Sequence, residues 1–200
     1  MKIKRIFDLV FSATAIVALL PVMGLVCLVI YADDGSPVVF KQNRVGKNGK
    51  LFKVKKFRTM KNGTRNAATK DLEDSHRYIL RCGRFIRRTS LDELPQLFNI
   101  LEGTMSFVGP RPLIPEETHM HSMRTAYGVY KVCPGMTGLA QVSGRDMITD
   151  ERKAELDKEY VENMSLFNDI KIILMTAKAV LKGENVAEGR SKNRVGSQAE

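Results

Sequence analysis

Residues Leu9 to Ala32 run 24 positions without a charged side chain, between Lys2, Lys4 and Arg5 on one side and Asp33-Asp34 on the other. A chain with such a segment must bury it in a core or give it to lipid, and its length suits lipid: at 1.5 Å per residue it reaches about 36 Å, against a hydrocarbon core of about 30 Å. A cleaved secretory signal fits poorly, because the apolar run is too long and no small-residue cleavage site precedes Asp33. A straight spanning helix fits the length but not the flanks. Lys2, Lys4 and Arg5 ask for the cytoplasmic side, and so do Lys41, Arg44, Lys47, Lys50 and Lys53, within or just beyond about 20 residues of the other end. Pro21, near the middle, removes one helical hydrogen bond, and Gly24 follows it. The segment is therefore expected to be a re-entrant helix-break-helix in the phospholipid bilayer, two arms of about 12 residues reaching about 18 Å each, with both ends cytoplasmic.

The charge distribution supports an anionic partner. Residues 1–70 hold 14 Lys and Arg against Asp8, Asp33 and Asp34, a net +11, so the rest of a chain of net charge +10 carries −1. Local basicity of this size suits anionic lipid, nucleic acid or a phosphorylated ligand. Cys27, Cys82 and Cys133 are scattered and odd in number, which fits a reducing compartment better than a disulfide framework.

Beyond the membrane segment the pattern is α+β and mainly helical. Val38–Val45 and Leu51–Phe57 read as strands of a small β-hairpin, with Lys53 and Lys55 alternating against Phe52 and Val54. Residues 61–76 lack apolar periodicity and read as a loop. Leu91, Leu94, Leu97, Phe98 and Leu101 predict a helix with one apolar face. Glu151–Asn163 reads as a charged, solvated helix. In Leu166–Leu181, Ile170, Ile173, Leu174, Ala177 and Leu181 form an apolar face that suits either the core or an interfacial position on lipid. Three regions result: a membrane helix over 1–32, a compact cytoplasmic-face catalytic domain over 33–183, and a polar, disordered tail over 184–200.

Within this frame the sequence Arg87-Arg88-Thr89-Ser90-Leu91-Asp92-Glu93-Leu94-Pro95 sets two adjacent carboxylates behind two arginines. Ser90 and Glu93 have the spacing of a capping box, so the pair can serve simply to start a helix. It can also do chemistry on a phosphate. An ionised Asp is a nucleophile toward phosphorus once cations neutralise the substrate, and a neighbouring Glu can move the proton of an incoming acceptor. Candidate cations are Lys56, Arg58, Arg87, Arg88, Arg145 and Arg111, the last held between Pro110 and Pro112 on stiff backbone.

Several other site types are excluded. Gly46-Lys47 and Gly49-Lys50 have neither the spacing nor the hydroxyl of a nucleotide phosphate loop, and no Gly-x-Gly-x-x-Gly follows a strand. His119 and His121 lack the spacing of a histidine metal site. No nucleic-acid reading module is present, so no nucleic-acid partner is expected. A non-catalytic membrane-surface adaptor that holds anionic lipid or nucleic acid on its basic region stays open as the alternative.

The ordered set Lys56-Phe57-Arg58-Thr59-Met60, Ser90-Leu91-Asp92-Glu93-Leu94-Pro95-Gln96, Met105-Ser106-Phe107-Val108-Gly109-Pro110-Arg111-Pro112 and Pro134-Gly135-Met136-Thr137-Gly138-Leu139-Ala140-Gln141-Val142-Ser143-Gly144-Arg145 resembles the bacterial sugar transferases, specifically the small monotopic phosphoglycosyl transferases. The resemblance covers nearly the whole chain. It implies transfer of a sugar-1-phosphate from a UDP-sugar to polyprenyl phosphate, undecaprenyl phosphate in bacteria, at the cytoplasmic face of the inner membrane. Asp92 would attack the β-phosphate, release UMP and carry the phosphosugar covalently. Mg²⁺ would assist with Asp92 as ligand, and Glu93 would take the acceptor's proton. Lys56, Arg58, Arg111 and Arg145 would contact substrate, while Asp8 and Arg87 would form a structural ion pair. The product would pass to downstream glycosyltransferases building O-antigen, capsule, exopolysaccharide or glycoprotein glycan. The chain is expected to hold the catalytic core without the additional membrane helices of the larger relatives.

Overall fold

The computed structural model describes residues 2–64, 77–144 and 147–181. Arg145, residues 65–76 of the expected loop and the tail 184–200 lie outside the described residues.

Helix α1 runs from Lys2 to Asp34, 33 residues and about 50 Å, and continues helical through Pro21. No non-helical residues separate two arms, because a proline costs the helix one hydrogen bond without ending it where packing holds both sides. The helix ends at Gly35, whose φ of +66° is a left-handed stop that glycine adopts without a Cβ penalty, and Gly35 N–H donates to Tyr31 O at 2.9 Å.

Strands β1 (Val39–Val45) and β2 (Leu51–Phe57) pair antiparallel from Val39 opposite Phe57 to Val45 opposite Leu51, as the alternation predicts. Helix α2 (Gly83–Arg88) leads to a single 3₁₀ turn, Leu91–Glu93, and then to α3 (Gln96–Glu102). A second ladder, not anticipated from sequence, joins β3 (Ser106–Val108) in parallel to β4 (Gly135–Thr137). Helices α4 (Thr118–Ala126), α5 (Leu139–Val142), α6 (Asp150–Glu162) and α7 (Leu166–Leu181) complete the described chain.

The core is built on α1. Met23, Val26 and Ile30 are buried with Phe57, Leu80 and Ile86, and farther along the helix Ala15, Ile16 and Leu19 pack on Val54, Leu97, Ile100 and Met105. Both helix ends are bonded to the same body. Lys4 Nζ donates to Val108 O at 3.0 Å and to Asp169 at 2.6 Å, and Arg5 donates to the carbonyls of Ile100 and Leu101 at 2.6 and 2.8 Å. At the other end Cys82 N–H donates to Asp33, and Arg58 pairs with Asp34.

Helix α6 is not the solvated helix its charges suggest. Ala154, Asp157 and Tyr160 recur at i, i+3, i+6 and are buried, because Arg124 pairs with Asp157 and the Tyr160 hydroxyl lies 2.9 Å from Val108 O and 2.8 Å from Asp169. Burial, with Asp169 alongside, pushes the Tyr160 phenol far up, so it stays protonated. In α7 the inward residues are Asp169 and Ile172, while Phe167, Ile170 and Leu174 are exposed, turning two of the residues expected on its apolar face outward.

The β3–β4 ladder depends on bare glycine. A Cβ on Gly135 would lie 2.1 Å from Gly109 N and 2.3 Å from Thr137 O, and one on Gly138 would lie 2.2 Å from Gly109 O. These are backbone atoms that cannot swing aside, so Gly135→Ala must part the two strands. The expected cost is about 3 kcal/mol or more, read as a fall of about 6–12 °C in the apparent melting midpoint.

Candidate active site

Hairpin register decides which cations face the acids. In an antiparallel pair opposite residues share a face and alternate residues repeat it, so Gln42, Arg44, Val54 and Lys56 point the same way. Val54 on that face packs on Leu97 and Ile100. Asn99 of α3 fixes the register: its side-chain carbonyl accepts from Lys55 N at 3.0 Å and its amide donates to Lys53 O at 2.9 Å, continuing the ladder with a side chain. Buried Asn99 therefore sets the distance between β2 and the residues that precede α3.

Those residues are the acidic pair. Ser90 adopts a left-handed conformation with φ of 56°, its side chain makes no capping bond, and Glu93 N–H donates to Ser90 O at 3.1 Å. The capping-box spacing is thus not used, because a residue at positive φ does not direct its hydroxyl along the following turn as an N-cap does. The predicted single helix is a 3₁₀ turn followed by α3, which begins at Pro95-Gln96. Asp92 and Glu93 are both half-buried on this turn, and Lys56 Nζ donates to Glu93 at 2.7 Å. A non-glycine residue held at positive φ beside two carboxylates marks a backbone constrained by its surroundings.

Arg111 enters from the other side. Gly109 N–H donates to Thr137 O and Gly135 N–H to Pro110 O, both at 2.9 Å, so the Gly109-Pro110-Arg111-Pro112 segment is stitched to the Pro134–Gly138 segment. Arg124, itself buried against Asp157 at 2.5 Å, donates to the Arg111 carbonyl at 2.7 Å. With its backbone fixed from two directions, the Arg111 guanidinium makes no hydrogen bond or ion pair among the described residues. It lines a pocket with Arg44, Lys56, Glu93, Gln96 and Met136.

The remaining candidates divide. Arg58 is 6% exposed, and its guanidinium is committed to Asp34, Pro37 O at 2.6 Å, Asp34 O at 3.0 Å and Gly35 O at 2.7 Å. It ties the end of β2 to the end of α1, whereas Lys56, two residues earlier, lines the pocket. Asp8 and Arg87 do not pair. Asp8 accepts from Ser106 Oγ and Phe107 N–H at 3.1 Å each, whereas Arg87 donates to Thr59 at 2.7 Å and follows Ile86, which shares a core cluster with Met23, Val26 and Ile30 of α1. Residues 8 and 26 of one helix lie about 27 Å apart. His121 bonds Tyr130 and Ile114 O, a structural arrangement. Sequence reasoning missed Arg44 as a site residue, although the hairpin register that places Lys56 also places it. No cluster of three or more His, Cys, Asp or Glu suited to a metal occurs among the described residues.

A cation-lined pocket beside paired carboxylates, on a body built along one long apolar helix, agrees with the sequence resemblance. The bacterial sugar transferase family model matches residues 1–183. The chain belongs to the bacterial sugar transferase family. Among its relatives, the "Uncharacterized sugar transferase EpsL" of Bacillus subtilis (strain 168) is 43% identical over 192 residues, covering 94% of this chain and 92% of the relative. The "Undecaprenyl-phosphate galactose phosphotransferase" of Salmonella typhimurium is 40% identical over 90% of this chain. The "UDP-glucose:undecaprenyl-phosphate glucose-1-phosphate transferase" of Escherichia coli (strain K12) is 37% identical, also over 90%. The chain spans 40% of the length of each of the last two relatives. The family match covers α1 as well as the acid pair, so the helix is part of the sugar transferase unit.

Proposed function

We propose that this sugar transferase moves a sugar-1-phosphate from a UDP-sugar to undecaprenyl phosphate, releasing UMP and leaving a polyprenyl-diphosphate-sugar. The observation that carries this reading is the Asp92-Glu93 turn, whose Glu93 pairs with Lys56 and lines one pocket with Arg111, a guanidinium that makes no hydrogen bond or ion pair among the described residues. The names of the Salmonella and Escherichia relatives support the donor and acceptor classes.

The chemistry runs in two displacements. The Asp92 carboxylate attacks the β-phosphorus, a P–O bond forms to the enzyme, and the bond to the UMP oxygen breaks with its electron pair leaving on UMP. A phosphate oxygen of the polyprenyl acceptor then attacks the same phosphorus and returns the Asp92 carboxylate, with Glu93 accepting the acceptor's proton where it carries one. Arg111 and Lys56 offset the charge that otherwise repels a carboxylate from a diphosphate. Asp92 has the donor chemistry for Mg²⁺, which commonly binds through one or two carboxylates together with substrate phosphates. When bound there it would neutralise phosphate charge.

Both substrates must meet at a membrane face, since one is water-soluble and the other is held by its lipid tail. The exposed surface of α1 supplies Ile6, Val10, Phe11, Val17, Leu20, Leu25 and Leu28, and α7 adds Phe167, Ile170 and Leu174. An apolar surface of this extent suits lipid. Because Lys4-Arg5 and Asp33-Asp34 are bonded to one folded body, we infer a monotopic arrangement on the cytoplasmic face, re-entrant and not spanning. Single cysteines placed at residues 2 and 41 are expected to react with an impermeant thiol reagent from the same side, and labelling from opposite sides would refute this topology.

The direct test screens UDP-sugars with undecaprenyl phosphate and Mg²⁺ while measuring UMP. Release of UMP that depends on acceptor, with formation of a lipid-linked sugar diphosphate, is expected. Lipid binding without UMP from any UDP-sugar would favour the adaptor reading.

A further inference from the structure

We propose that Arg44 on β1 is an anion-binding residue of this pocket, holding the substrate diphosphate together with Arg111. The ligand's identity rests on the transfer reading above, whereas the site rests on observations of its own. Arg44 lies opposite Phe52 in the hairpin, which puts it on the face that carries Lys56. Its Nη1 donates to Pro112 O at 3.1 Å, the residue next to Arg111, and its Nη2 donates to Gln42 Oε1 at 2.6 Å. Its Nε is buried and has no hydrogen-bond partner among the described residues. A guanidinium is a rigid fork with five donors, and this one is anchored by Nη1 and Nη2 while its Nε meets no acceptor among the described residues.

Among the described residues that line the pocket, the charged side chains are Arg44, Lys56 and Arg111 against Glu93. Lys56 and Glu93 pair with each other. Arg44 and Arg111 then confront each other with like charge, and burial followed by Arg111 holds the Arg44 guanidinium down to about 10. Glu117, Glu116 and Glu93 act in the opposite direction without cancelling that effect. Two cations lining one pocket repel until an anion lies between them, and a diphosphate has oxygens enough to bond both. The Arg44 bond to Pro112 O makes the arrangement rigid, because the residue that contacts the anion also braces the backbone of its partner.

The experiment uses the full chain in lipid nanodiscs, titrated with inorganic pyrophosphate and with UMP, for wild type, Arg44→Gln, Arg44→Lys and Arg111→Gln. Arg44→Gln is expected to weaken pyrophosphate binding by at least about tenfold and to raise KM for the UDP-sugar more than it lowers kcat. Arg44→Lys keeps the charge but not the fork and is expected to fall between. Melting of each unliganded variant separates binding from folding: the proposal requires anion affinity to drop while the unliganded midpoint stays near that of Arg44→Lys. Pyrophosphate affinity within about twofold of wild type in Arg44→Gln overturns it, and should that variant not fold, the same limit applied to Arg44→Lys decides. Wild type that binds pyrophosphate through Arg44 yet turns over no UDP-sugar would remove the transfer reading and leave this site standing. Turnover in wild type with no role for Arg44 would do the reverse.

Discussion

Replacing Asp92 by Asn is expected to cut UMP release by about 10³-fold or more, since an amide in place of the nucleophile cannot form the covalent intermediate. Asn keeps the size of the side chain and the turn that holds it, so the melting midpoint should change little. Wild type mixed with a UDP-sugar in the absence of acceptor should gain the mass of a phosphosugar, and Asp92→Asn should not. Glu93→Gln should still gain that mass, because its part comes in the second displacement. Turnover by Asp92→Asn within about tenfold of wild type would place the nucleophile elsewhere.

The second large effect concerns stability. Asp157→Ala leaves Arg124 buried without its counter-ion and is expected to cost about 3–5 kcal/mol. Burial pushes the Asp157 carboxyl up despite Arg124, which marks a pair whose desolvation is only partly repaid by attraction. Replacing both partners with apolar residues, Arg124→Met with Asp157→Leu, should therefore recover most of the lost stability in a denaturant titration. Activity should not return with it. Arg124 also donates to the carbonyl of Arg111, and a methionine leaves that backbone less firmly held. A double variant that regains both stability and full turnover would show that Arg111 needs no such brace.

How far the sequence could lead depended on which forces act locally. The hairpin was legible because alternation in Phe52-Lys53-Val54-Lys55 reports a two-residue period directly. The acid pair was legible as a pair, but its setting was not, since Ser90 at positive φ is imposed by the turn out of α2 and by packing onto β2. The Asp8–Arg87 pairing failed because sequence gives residue types and not the distance along α1 that separates them. Arg58 looks like a substrate contact in sequence, yet four acceptors near the end of α1 claim it. The parallel β3–β4 ladder was hidden because each strand has only three residues, too few for a period, and its signature is the spacing of glycines that let two backbones touch. In α6, buried polar residues broke the rule that charge faces water, and only the partners Arg124 and Asp169 explain why.

Helix α1 leaves the ribosome before the residues it packs against, and half of the six buried residues in one core cluster are its Met23, Val26 and Ile30, whose partners Phe57, Leu80 and Ile86 emerge later. Until they arrive, its protein-facing stripe has no cover. In the membrane arrangement proposed above, folding and delivery to the bilayer would be one event: lipid would hold the helix early, and the body would then close on the stripe the lipid gives up. Deleting the helix to obtain a soluble enzyme would remove a wall of the core, whereas replacing outward residues such as Leu20, Leu25 and Leu28 with polar ones would leave that wall in place.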